Sequence, residues 1–146
     1  MVQPADSPAA RDSRAGWFDL HTSELREPET VCPLFNAGMG LCEAASYLDN
    51  SGRPVGIWFD RFSDGRGFTL ARHLRQAARH AGPLLADGHL IPDQADYLRR
   101  CGFSHVRIVA DHAAQWRRSL ALAPPAMQHV LTNRRERERR GSAGRV

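Results

Sequence analysis

Lysine is missing altogether from the 146 residues, and all 20 basic side chains are arginine. With abundant alanine beside them this fits a bias in codon composition, so no single arginine carries functional weight by its type alone. Cysteine is scarce. Cys32, Cys42 and Cys101 are odd in number and form no C-x-x-C pair, which argues against a disulfide framework and favours a reducing compartment. No apolar run approaches the roughly 20 residues that cross a bilayer, and the N-terminal stretch has no apolar leader core. The expectation is a cytoplasmic protein with no membrane contact. The seven histidines gather into no ligand set. Cys101 and His105 have ligand-like spacing but lack a second pair, so no metal is expected. G-x-S-x-G, the Walker loop and the dinucleotide G-x-G-x-x-G are also missing. No cofactor is expected, and whether the chain is an enzyme stays open.

The net charge of +4 is unevenly placed. Residues 1–132 hold 14 arginines and 14 acids, whereas residues 133–146 hold six arginines and two glutamates. The basic balance therefore describes a tail and not a face of the fold. From Arg134 to Arg140 the tail has no interleaved aromatics to stack on bases, and Glu136 and Glu138 interrupt it. Nucleic acid is not an expected partner.

The length fits one domain, taken as residues 16–132 between a disordered, polar arm (1–15) and the Arg-rich tail (133–146). Trp17 to Leu20 is a short edge strand or a docked arm, and Val31 to Phe35, with Pro33 inside, is a weak strand. Leu41 to Leu48 suits a short helix. Val55 to Phe59 is the strongest strand, a β-prone run suited to burial on both faces. Thr69 to His80 is helical, with Leu70 and Leu74 inward and Arg72, Arg75 and Arg79 outward. Leu84 to Ala86 and Val106 to Val109 are further strands. Pro92-Asp93-Gln94 suits the first turn of a helix that runs to Cys101 and ends at Gly102. Asp111 opens another, through about Leu122, and a last arginine-rich helix follows Pro124-Pro125. The alternation predicts an α/β fold with a small sheet of three to four mainly parallel strands and flanking helices.

Asp64-Gly65-Arg66-Gly67 falls where a strand ends and a helix begins, the place where open α/β sheets bind ligands. Backbone N–H groups, a helix N-terminus and a guanidinium would meet there, suited to a small oxyanion. Gly65, Arg66 and Gly67, with Thr69 as helix cap and Arg72 one turn on, are the candidate anion-binding residues, and Asp64 completes the set by orienting Arg66. The competing reading is a tight turn in which Asp64 and Arg66 satisfy neighbouring backbone. Asp93, Gln94, Arg100 and Cys101 are secondary candidates, with Cys101 read as a buried packing thiol.

Phe59 to Phe103 resembles the bacterial domain-of-unknown-function family numbered 934. The resemblance rests on Phe59, Arg61, Phe62, the run Asp64 to Thr69, Ala71-Arg72, Leu74-Arg75, Asp93-Gln94 and Arg100-Cys101-Gly102-Phe103. It departs where Leu85 and Pro92 replace arginines, His89 replaces an aspartate and Met127-Gln128 replaces a Tyr-Gln pair. The resemblance implies an accessory of sulfite assimilation, in a family often labelled oxidoreductase and encoded beside sulfite reductase. Two functions follow. One is an oxyanion-handling accessory of sulfur assimilation, with oxidoreductase activity left open. The other is a non-catalytic module covering a face of a partner, such as a sulfite-reduction enzyme.

Overall fold

The computed structural model describes residues 2–3, 15–28, 32–49 and 51–123. Most of the expected N-terminal arm and all of the Arg-rich tail with its helix lie outside them. Seven strands join one sheet among the described residues: β1 (Val2–Gln3), β2 (Ala15–Asp19), β3 (Leu25–Arg26), β4 (Leu34–Asn36), β5 (Val55–Phe59), β6 (Leu84–Gly88) and β7 (His105–Val109). Four helices accompany them: α1 (Leu41–Ser46), α2 (Arg66–Gln76), α3 (Ala95–Cys101) and α4 (Ala113–Leu122).

The strand order is β1-β4-β5-β6-β7-β2-β3. β4 to β7 run parallel, so Val55–Phe59, Leu84–Ala86 and Val106–Val109 lie parallel as their alternation with helices implied. β1, β2 and β3 pair antiparallel. The sheet is thus mixed and larger than the three or four mainly parallel strands expected. The additional strands are two to five residues long, too short for a period-2 pattern to stand out. β2 pairs with β7, about 90 residues on, whereas β3 pairs with β2 across a short turn. Trp17 to Asp19 forms part of β2, which is interior, with β7 on one side and β3 on the other.

The parallel strands follow each other in chain order, and right-handed crossovers then place every connecting helix on one face. The core shows this. Ala44, Leu70, Leu74, Leu98 and Trp116 from the four helices pack with Phe35, Ile57, Phe59, Ala86 and Val106 from the strands. On the reverse face Trp17, Cys32, Leu34 and Leu85 cluster with Trp58 and without a helix among the described residues. There Asp87 pairs with Arg107 at 3.2 Å, and burial pushes the Cys32 thiol up to about 12.

α2 begins at Arg66, three residues before the expected start, so Thr69 lies inside the helix and does not cap it. Its hydroxyl donates to the Gly65 carbonyl at 3.4 Å instead. Arg75 is also not outward. It is 5% exposed and donates to the carbonyls of Gly102, His80 and Gly82 at 2.8, 3.0 and 2.6 Å. Helical spacing placed it beside Arg72, but the chain end of α2 and the loop before β6 close over it. Gly102 ends α3 at φ 110, the left-handed cap expected for it.

Candidate functional site

The parallel strands deliver their C-terminal ends to one edge. Phe59 leads into the loop carrying Asp64, and Gly88 leads into His89, whose N–H donates to the Phe59 carbonyl at 2.9 Å. Gly88 makes that approach possible. Its φ is +101, and a Cβ there would lie 2.3 Å from the Phe59 carbonyl oxygen. Trp58 meets His89 edge-on at 6.3 Å.

At the start of α2 the Asp64 carboxylate accepts from the Arg66 N–H at 3.2 Å and from the Arg66 guanidinium at 3.0 and 2.9 Å. The pair is mutually reinforcing. Arg66 holds the Asp64 carboxyl below its usual range, and Asp64 raises the already high Arg66 value. The remaining guanidinium edge lies on Gly38, where a Cβ would be 2.7 Å from Arg66 Nη1. The two glycines of the turn differ. Gly67 lies under the Phe59 ring, 2.3 Å from where a Cβ would stand, whereas nothing lies within 4 Å of a Cβ on Gly65.

This arrangement is less favourable to an anion than the turn alone suggested. Two guanidinium donors and one helix N–H are already committed to a carboxylate. An incoming anion at about 4 Å from it meets a repulsion of roughly 1 kcal/mol in water, rising as the site dries. Any oxyanion bound at Gly65–Arg66 must overcome that term.

The other candidates fall in two further groups. Arg72 lies near α3, where the Cys101 sulfur raises the arginine further. Tyr97, one turn before Cys101, joins the same cluster and is pushed up chiefly by that sulfur. The Tyr97 ring also packs at a tilt against Phe68, with centroids 4.7 Å apart. Cys101 itself is fully buried, the packing position expected of it. Arg100 donates to Asp96 at 2.8 Å, and Asp93 stays exposed.

Gln94 does something the sequence did not suggest. Its Nε2 donates to the Phe62 carbonyl at 2.6 Å, and its Oε1 accepts from the Ile91 N–H at 3.2 Å. Gln94 thereby ties the loop of Asp64 to the loop after β6. The apolar side chains on those loops face solvent, with Phe62 54% and Ile91 39% exposed. Gly38, Phe62, Ile91 and Tyr97 were not among the candidates. Only Tyr97, four residues before Cys101 and so on the same helix face, had a positional signal.

Fold and site together define a two-layer α/β protein whose clamped loops gather at the carboxyl edge of a parallel sheet, with polar pairs already closed on themselves. The chain belongs to the family described as "Bacterial protein of unknown function (DUF934)", which matches residues 38–135. No curated protein and no solved structure matches the chain.

Proposed function

We propose that the protein is a non-catalytic accessory of sulfite assimilation that docks on a sulfite-reduction enzyme through its loop edge. The Gln94 clamp carries this reading. Exposed Phe62 and Ile91 sit on separate loops, and a single side chain binds the backbone of both. Fixing apolar groups in water before a partner arrives lowers the ordering cost of association. The sulfur-assimilation context comes from the family resemblance.

Burying a whole Phe side chain is worth about 1.5–3 kcal/mol. For the 54% of Phe62 still exposed, roughly 0.8–1.6 kcal/mol remains to be gained, about a four- to fifteenfold effect on affinity. Phe62→Ser should weaken binding to sulfite reductase by that factor while leaving the circular dichroism spectrum unchanged. Equal binding by wild type and variant, or no binding by either, would reject the reading.

A second reading is weak oxyanion binding at the turn, favoured by the open space over Gly65 and its ordinary φ of −63. No steric demand explains glycine there, and its absence of a side chain leaves the start of α2 accessible. Sulfite, sulfate and phosphate titrated against the amides of residues 65–69 test it. Unmoved amides eliminate it.

A further inference from the structure

We propose that the cavity at the amino edge of the parallel strands binds a free amino acid whose aromatic side chain ends in a hydrogen-bond donor, as in tryptophan or tyrosine. The cavity measures about 480 Å³, within the range of small-molecule sites. Pro33, Leu48, Pro54 and Val55 supply its apolar lining, and Asp49, Arg53 and His80 its polar groups. It lies at the other end of the strands from the loop edge, so it does not rest on the docking reading.

Backbone bonds build the site before any ligand arrives. β4 and β5 are parallel, so Pro33 and Val55 enter the sheet side by side. The Gly56 N–H donates to the Pro33 carbonyl at 2.8 Å, and the Val55 N–H to the Pro83 carbonyl at 3.2 Å. Gly82 packs so closely on the turn at Gly52 that a Cβ would lie 2.2 Å from the Gly52 carbonyl oxygen. Loops held in this way lose little freedom when a ligand binds.

The chemistry of the ligand is read from the three polar groups. His80 is only 7% exposed. Its Nε2 lies 3.1 Å from the Pro83 carbonyl, which can only accept, so the proton sits on Nε2 and Nδ1 is left as an acceptor. No hydrogen bond among the described residues reaches Nδ1. That nitrogen is not sealed off, and with the rest of the ring buried its opening is the cavity that His80 lines. An apolar ring carrying one N–H or O–H satisfies both the lining and this nitrogen. Asp49 and Arg53 are exposed at the rim. Asp49 Oδ1 accepts from the Ser51 N–H at 3.0 Å and from the Ser51 hydroxyl, which leaves Oδ2. Arg53 forms no ion pair among the described residues. An acid and an arginine at one mouth suit an ammonium and a carboxylate carried on the same carbon. A lone carboxylate would be repelled by Asp49 and a lone ammonium by Arg53, whereas the zwitterion meets both.

Amide NMR on the full-length protein tests the proposal. Tryptophan at millimolar concentration should move the amides of Leu48, Val55 and His80. Phenylalanine lacks the donor and should bind about two- to twelvefold more weakly, the effect of one net hydrogen bond. Tryptamine and indole-3-propionate each keep one charge of the zwitterion and should also bind more weakly than tryptophan. Arg53→Gln, at an exposed position, should weaken tryptophan and leave tryptamine unchanged. A long-range nitrogen spectrum of the free protein should show His80 protonated on Nε2 and bare on Nδ1, a readout that needs no variant. Unmoved amides with both tryptophan and tyrosine, phenylalanine or a singly charged analogue binding as tightly as tryptophan, indifference of tryptophan to Arg53→Gln, or a proton on Nδ1 would each overturn the proposal.

Discussion

Adding a single methyl group at two glycines two residues apart should give opposite results. At Gly67 a Cβ would lie 2.3 and 2.4 Å from two carbons of the Phe59 ring. That ring is fully buried and packed at 5.2 Å from Phe68 and 5.9 Å from Phe103, so it has nowhere to retreat. Overpacking of this kind costs about 1–3 kcal/mol, and for a domain of this size Gly67→Ala should lower the melting temperature by roughly 4–12 °C. At Gly65 nothing lies within 4 Å and φ is −63. There the methyl restricts the unfolded chain at no steric expense, and Gly65→Ala should leave stability unchanged or raise it by about 0.4–1 kcal/mol. Urea titration of the two variants at constant m-value separates the effects. A Gly67→Ala protein as stable as wild type, or a Gly65→Ala protein that loses as much, would refute the packing argument.

Other outcomes follow from the same contacts. Arg75→Ala should cost about 2–5 kcal/mol, because three buried carbonyls lose a charged donor, whereas exposed Arg79→Ala should fall within about 0.5 kcal/mol. Burial pushes His80 and His105 below their ordinary 6.5. The unfolded chain therefore takes up protons first, and stability should decline as pH falls below about 6.5; His80→Gln should flatten the decline in urea midpoints between roughly pH 7 and pH 5. If an oxyanion binds at the turn, Asp64→Asn should tighten it about fivefold by removing a repulsion of roughly 1 kcal/mol, whereas weaker binding would show that Asp64 serves the anion by orienting Arg66.

What was legible in the sequence was local. Val55–Phe59, the stop at Gly102 and the strand–helix alternation are each encoded within a few residues, and the parallel centre of the sheet followed from them. β2 was not legible as an interior strand, because its partner β7 lies about 90 residues away, and β3, two residues long, pairs only with β2. Arg75 misled for a related reason. Helical spacing shows which residues share a face but not that Gly82 and Gly102 bring carbonyls over that face. At the candidate site the sequence located the turn and the role of Asp64 in orienting Arg66, but it did not show that Gln94 binds two loops. That link rests on side-chain reach across the fold.

The central claim is that the loop edge is the docking face, and a hydrogen-exchange footprint of the protein in complex with sulfite reductase tests it most directly. Protection on binding should concentrate in residues 60–66 and 89–94 and be lost with Phe62→Ser. Protection centred on the opposite face around Trp17 and Trp58, or none at all, would contradict it.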